Sequence, residues 1–247
     1  MTRKLLRPRQ KQSVLIRDPE LRQRKREEVA AAAFDLFLQE GFHRTTTRDI
    51  AQRAGVSAGA VFTYFKDKAE ILFHLVSEEQ GRGEARLLEV LRQQIVEASR
   101  TGADPEEVFI NVFATFLRAI DELRRFILLA YQETKSLDPE ARQALIAREK
   151  RIQALLSEAI RYGVERGRFA PDHIELKAHT LMVLAHAWAT RHWAFAGMIP
   201  SIEDYLAFLQ PLVLAMLEKR TAVAMAKKEQ RQPAMDGGAI CNPSALK

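Results

Sequence analysis

Residues 46–65 read T-T-R-D-I-A-Q-R-A-G-V-S-A-G-A-V-F-T-Y-F, and this run constrains the local fold more than any other part of the chain. Thr46 is a helix cap, and Asp49, three residues on, completes a capping box that satisfies orphan backbone N–H groups. Ile50, Ala51 and Ala54 then share one face of a short helix. The small Ala51 side chain permits close approach by a crossing helix. Gly55 stands where the chain must turn sharply, because glycine accepts positive φ at little steric cost. Val56 plugs the core beneath the turn, Ser57 caps the next helix, and Val61 and Phe65, four apart, face inward. Two short helices about a tight glycine turn make a helix-turn-helix. In that motif the second helix enters the DNA major groove and the first crosses the backbone. The residues left outside, Ala58, Gly59, Ala60, Thr63 and Tyr64, are small or hydrogen-bonding, so this face can approach base edges closely. The Ala60 methyl matches a thymine methyl, and the Thr63 hydroxyl suits a base or phosphate. Thr46, Thr47 and Arg48 offer hydroxyls, N–H groups and a cation to phosphates.

The charge distribution agrees. Residues 1–66 hold 14 Lys/Arg against 7 Asp/Glu, whereas the remaining residues hold 24 against 25, so the whole excess of +6 comes from the amino-terminal quarter. Ten of those 14 cations fall in residues 1–26. Such asymmetry implies a polyanion-binding end on a neutral body, or a solvated basic tail.

Residues 1–19, with Pro8 and Pro19 and no helical period, read as a disordered basic arm, and residues 219–247 as a disordered tail. Residues 20–66 form the helix-turn-helix domain and 67–218 a helical effector-binding and dimerisation domain. Almost everything between the tails has a 3.6-residue apolar period: Val29, Ala33, Leu36, Phe37; then Ile71, Leu72, Leu75, Val76; then Phe109 to Ile120; then Ile152 to Ile160. Helix starts are predicted at Asp67/Glu70, Asp104/Glu107, Asp172/Glu175 and Ser201/Asp204. Pro105 and Pro139 suit first helical positions. The fold class is all-α, a three-helix head plus a helical body, with about eight or nine helices in total.

The spacing of Phe34–Phe37, Gly41-Phe42, Thr45–Ala51, Ala54–Ser57, Gly59–Val61, Tyr64-Phe65, Lys68 and Leu72 resembles the N-terminal domain of TetR-type transcriptional regulators. The resemblance spans roughly residues 24–72. It implies a homodimer with two DNA-binding heads, a near-palindromic double-stranded operator, and a body that dimerises through its last two helices around a small-molecule pocket. Carried over by position, Thr46, Thr47, Arg48, Ala58, Gly59, Ala60, Thr63, Tyr64 and Lys68 contact the operator, with Ser57 at the tip of the second helix counted among them. Phe62 stands where the family usually has tyrosine and is left among the packing residues. The basic arm is expected to track the minor groove. The helix from Asp67 onward joins head to body and is the expected lever of allosteric repression, in which a ligand favouring the open-head state releases the operator.

The body has one unusual stretch, Leu184–Phe195, where Trp188 and His192 share a face, as do Arg191 and Phe195. Phe113, Phe116, Phe126, Trp188, Arg191 and His192 are the candidate pocket wall, apolar with a few polar groups. Packing of core or dimer interface is the competing reading of each. Tyr162-Gly163, Gly167-Arg168-Phe169 and the Trp188–Trp193 segment are similar to regulators of fatty-acid and aromatic-acid breakdown, which implies an acyl-CoA effector. The phosphates of CoA would need cations, and Arg118, Arg124, Arg125, Arg161 and Arg191 are available. Residues 201–217 carry Tyr205, Leu206, Leu209, Leu212, Val213 and Met216, half of a four-helix dimer interface. Pro211 is expected to kink or divide that helix.

Other classes fit poorly. Residues 55–59, G-V-S-A-G, spell G-x-S-x-G, but the pattern sits in a turn between two helices and not between a strand and a helix, so it is no nucleophile elbow. The chain lacks a phosphate loop and an H-E-x-x-H metal pair, so no catalytic residue, metal or cofactor is assigned and the chain is not read as an enzyme. Its single cysteine, Cys241, excludes an internal disulfide. No apolar run reaches the ~18 residues of a membrane span, and the amino end lacks a signal-peptide core, which points to the cytoplasm. A cytosolic helical enzyme predicts turnover indifferent to Arg48 and Tyr64. A membrane-surface helical protein predicts vesicle binding that matches duplex binding.

Overall fold

The computed structural model describes residues 18–219 and, within them, every side chain except those of residues 78–82. The arm up to residue 17, the tail from residue 220 and Cys241 lie outside that range. The described residues form eleven α-helices and one π-helical segment. Among them the nearest approach to a strand is an isolated antiparallel bridge between Phe169 and Glu218.

The head comprises α1 (Pro19–Glu40), α2 (Thr47–Arg53) and α3 (Ala58–Tyr64). Pro19 is not part of an arm: it opens α1, and the Asp18 carboxylate accepts from the Glu20 and Leu21 amides at 3.1 Å. The missing N–H of proline costs nothing at that position. Val29, Ala33, Leu36 and Phe37 are buried, and Gly41 ends the helix at φ 87°.

A connecting rod follows: α4 (Lys68–Phe73), the π-helical segment His74–Glu79, and α5 (Gln80–Thr101). Asp67 caps α4 through the Glu70 amide at 2.8 Å. The body adds α6 (Pro105–Glu122), α7 (Arg124–Glu133), α8 (Pro139–Glu165), α9 (Ile174–Thr190), α10 (His192–Phe195) and α11 (Ile202–Leu217). The predicted eight or nine helices become more for local reasons. Leu123 alone separates α6 from α7, a π segment interrupts the rod, and the four-residue α10 is too short to show a period.

Caps at Asp104, Asp138 and Ser201 form as their sequences predict. The Asp172/Glu175 start does not. Helix α9 begins at Ile174 after His173, whose φ is 52°, with no side-chain cap. The two carboxylates are engaged elsewhere, Asp172 with Lys177 at 3.1 Å and Glu175 with Arg161. Nor does Pro211 divide its helix, for α11 runs through it.

Two cores result. The body core joins Phe109, Phe113, Phe116, Leu156, Ile160, Phe169, Leu181, Trp188 and Leu209. Trp188 is held there by stacking on Phe195 and Tyr205 and by donating from Nε1 to the Asp121 carboxylate at 2.7 Å. The head core joins Phe34, Phe37, Ile50, Val61, Phe65, Ile71 and Leu72, and also takes Leu129, Ala130, Leu137 and Ala141 from the body. Helix α7 therefore belongs to both units. Phe126 stacks on Phe34 at 4.4 Å, Arg125 pairs with Asp35 at 2.7 Å, and the buried Glu133 carboxylate accepts from the Phe42 amide at 3.0 Å.

Behind α8 the chain reverses at Gly167, and Phe169 folds back onto Gly163. Phe169 is fully buried and meets Phe109 edge-on, while the Ala170 amide donates to the Leu217 carbonyl at 2.8 Å. That hydrogen bond ties the end of α8 to the end of α11.

Candidate DNA-binding head and effector cavity

The turn is built as its residues dictate. Thr46 accepts from the Asp49 amide at 3.2 Å, and Asp49 accepts from the Thr46 amide at 2.8 Å and its hydroxyl at 2.6 Å. Those hydrogen bonds hold the Asp49 carboxyl below the usual carboxylate range. Gly55 turns at φ 65°, and the Ser57 hydroxyl accepts from the Ala60 amide at 3.2 Å. Thr46, Arg48, Ser57, Ala58 and Gly59 are exposed, and Thr47, Ala60 and Thr63 are half-buried on the same rim.

Two aromatic residues exchange the places the sequence reading assigns them. Tyr64 is buried, whereas Phe62 is 55% exposed. Val61, Tyr64 and Phe65 lie at i, i+3 and i+4, one face of a helix, and Phe62 falls about 100° away from that face. Lys68 also differs from its reading as a phosphate contact. Its ammonium donates to the carbonyls of Phe42 at 2.5 Å and Thr45 at 2.8 Å, and it lies 4.2 Å from the Phe42 ring centroid. Burial pulls its pKa down. Lys68 thus staples the α1–α2 loop to α4 and positions Thr46 and Thr47 rather than reaching out.

A cavity of about 310 Å³ opens in the body between α5, α6, α7, α8 and α9. Phe116, Ile120, Leu123, Ile127 and Ile152 form its apolar wall, with Tyr131, Glu84, Arg142, Arg148, Glu149 and His186 as polar groups. Of the six pocket residues predicted from sequence, Phe116 alone lines it. Phe113 is in the body core, Phe126 is in the seam against the head, and Trp188 is locked by Asp121. His192 packs edge-on against Trp188, and Arg191 lies over Trp193. The cavity is reached instead by His186, two positions before Trp188 and so on a different face of α9. Nor do the predicted phosphate cations line the cavity. Arg118 pairs with Glu203, Arg124 with Asp121, Arg125 with Asp35 and Arg161 with Glu175.

The Tyr131 hydroxyl lies 2.9 Å from His186 Nδ1. Burial, reinforced by His179, lowers the His186 pKa to about 4, so the ring is neutral at pH 7. Burial also raises Glu149 and Tyr131. Unfolded histidine takes a proton near pH 6.5, and the folded ring resists until about pH 4, so stability falls on acidification through that window. His186 alone is expected to contribute a loss of roughly 1–2 kcal/mol between pH 6.5 and 5, offset in part by Glu149, whose raised carboxyl takes its proton earlier in the folded state. Urea unfolding across that range should show it, and His186→Gln should flatten the slope.

Residues 29–75 match the bacterial regulatory proteins of the tetR family, and residues 102–194 match the tetracyclin repressor-like C-terminal domain. The HTH-type transcriptional regulator HbdR of Aromatoleum sp. (strain CIB) is 30% identical over 213 residues, covering 86% of this chain and 90% of HbdR. The chain belongs to the TetR family. As such it is a ligand-responsive DNA-binding transcriptional regulator, and its named relatives are regulators, not enzymes. The crystal structure of the TetR family regulator PfmR from Thermus thermophilus superposes with a TM-score of 0.62 at 27% identity, covering 77% of this chain and 99% of PfmR. FadR from Bacillus subtilis in complex with stearoyl-CoA shares the fold, with a TM-score of 0.56 at 21% identity over 78% of this chain and 97% of FadR. Among the described residues no helix is long and apolar enough to cross a membrane.

Proposed function

We propose that this TetR-family regulator is a cytoplasmic homodimeric repressor, released from a near-palindromic operator by an effector that carries an acyl group into the cavity. The observation that supports the effector class is the cavity itself: apolar walls, neutral His186 beside Tyr131, and a volume of about 310 Å³. At about 30 Å³ for a water-sized group, it holds roughly ten non-hydrogen groups. That suits a medium-length or aromatic acyl group, and it leaves the nucleotide of a CoA thioester outside. Arg142, exposed and donating to the Thr134 and Leu137 carbonyls, and the half-exposed Tyr131 line the cavity and would meet it.

On the DNA side, Thr46, Thr47, Arg48, Ser57, Ala58, Gly59, Ala60 and Thr63 form the contact face, with the exposed Phe62 beside them and Tyr64 turned inward. Residues 20–66 act as the head and 67–218 as the sensing body. The basic arm adds backbone contacts, and its removal should reduce the dependence of operator binding on salt.

The dimer reading rests on an apolar strip left bare on the body. Leu176 and Val183 on α9 and Phe208 and Leu212 on α11 are each more than half exposed, at helical spacings of seven and four. Tyr205, Leu209 and Val213 of the same α11 face their own core instead. Exposed apolar side chains repeated along two helices favour an association surface, and a two-fold pair places two recognition helices about one DNA turn apart. Phe208→Asp with Leu212→Asp should yield a folded monomer in sedimentation and lower operator affinity at least about tenfold. A double variant that stays dimeric overturns the assignment.

The whole reading is tested by selecting duplexes from a random DNA pool and titrating the selected complex with straight-chain acyl-CoA thioesters, from butanoyl to dodecanoyl, and with aromatic ones. Release by one or more at micromolar concentration is expected. Sequence-independent binding, or indifference to every thioester, overturns it.

A further inference from the structure

The π-helical segment His74–Glu79 is where head and body meet. Leu75 and Val76 pack into the head core, while Leu91 and Ile95, further along the same rod, pack into the body core. A π turn widens the helix, and each of its backbone carbonyls has a second lone pair open to an outside donor. Here a body residue serves them. Arg148 of α8 donates from Nη2 to the Val76 carbonyl at 2.9 Å and lies 3.4 Å from the Ser77 carbonyl, while its Nε donates to Glu84 at 3.2 Å. Arg148 and Glu84 are both buried, and both line the effector cavity. One residue therefore lines the ligand space and, through its guanidinium, holds the segment on which the head is carried.

We propose that Arg148 couples effector to head. A hydrogen-bond acceptor on the ligand, a carboxylate or thioester carbonyl, draws the guanidinium into the cavity and away from the Val76 and Ser77 carbonyls. The π segment then loosens, and the head loses the orientation that fits the operator. This rests on the cavity being the effector site. The chemistry favours the exchange. Val76 and Arg148 are buried and Ser77 is partly so, so an acceptor entering the cavity competes with backbone acceptors more than with solvent. Arg148 is planar, and five N–H donors in a fixed fork allow it to trade partners without losing Glu84. Glu84 keeps a second partner, Arg151 at 2.6 Å, so its buried charge remains paired when Arg148 swings. An apolar ligand without an acceptor would fill the cavity and leave the clamp closed.

The test uses the full chain as Arg148→Gln and Arg148→Lys beside the unaltered protein. Without ligand, amide hydrogen exchange across residues 71–79 should quicken at least about tenfold in R148Q, and operator affinity should fall by a similar factor. R148K, which keeps the positive charge but not the planar fork, should fall between. The melting transition should stay cooperative, because Arg151 still pairs Glu84. With octanoyl-CoA as probe, the unaltered protein should release operator, whereas R148Q should bind the probe with little further release. An R148Q protein with normal exchange and operator affinity overturns the clamp, whatever the probe does. Failure of octanoyl-CoA to bind the unaltered protein counts against the effector reading alone, since the ligand-free arm decides the clamp without it.

Discussion

Gly59→Glu is expected to weaken operator binding by about 100-fold or more while leaving the melting temperature within a degree or two of the parent. The two halves of that result come from different physics. Gly59 is exposed at the start of α3, its φ is not in the left-handed region, and a Cβ placed there meets no atom within 4 Å. The fold therefore has no need of glycine at this position, and a carboxylate in the first turn even suits the helix dipole. On the DNA side the same side chain is out of place twice. It adds bulk to a face whose neighbours are Ala58 and Ala60, and it brings a negative charge against phosphates and base acceptors. Fluorescence anisotropy with the selected operator, read beside thermal melting, separates the two effects. Unchanged binding would move the DNA face off α3 and with it most of the reading of the head.

Gly163→Ala should act in the opposite way, damaging the fold far from DNA. A Cβ on Gly163 would lie 2.1, 2.5 and 2.8 Å from three atoms of the Phe169 ring. That ring is fully buried and braced edge-on by Phe109, so it has nowhere to retreat without shifting the bridge to Glu218. Overpacking of this severity is expected to cost about 3 kcal/mol, a fall of roughly 6–12 °C in melting temperature for a chain of this size. Operator affinity of the surviving folded fraction should be near normal. The paired variant Gly163→Ala/Phe169→Leu should recover part of the loss, because a smaller side chain vacates the contested space. A single variant that melts normally would show that the ring moves freely.

The head is legible in sequence because its instructions are local. Thr46 with Asp49, Gly55, and Ser57 each act on residues within four positions, so spacing alone places them. Legibility falters where a seven-residue helix has to be assigned faces: Tyr64 shares the face of Val61 and Phe65, but its hydroxyl reads equally well as an outward hydrogen-bonding group, and the apolar Phe62 as a packing one. Lys68 is a related case. Nothing in its neighbourhood of sequence shows that the carbonyls of Phe42 and Thr45, more than twenty positions earlier, converge on its ammonium. The cavity is the least legible part. It is the space that five helices fail to fill, and no single helix carries that information. Trp188 stands out in the sequence as a large aromatic beside two histidines, yet Asp121, distant in sequence, fixes it in the core. His186 lies two residues away on the face that opens to the cavity, and Tyr131, its partner, belongs to another helix altogether.

The π segment in the rod amounts to one surplus residue wound into an otherwise regular screw. Each residue of an α-helix advances the chain by about 100° of rotation and 1.5 Å of rise. While the segment is held, the angular phase of the head relative to the sensing body is therefore set by a count of residues, and a single-residue deletion between His74 and Glu79 would turn the one against the other by roughly that angle. Paired across the dimer proposed above, such a turn would change the separation between recognition helices, so the length of this short stretch would limit which operator spacings the pair could span.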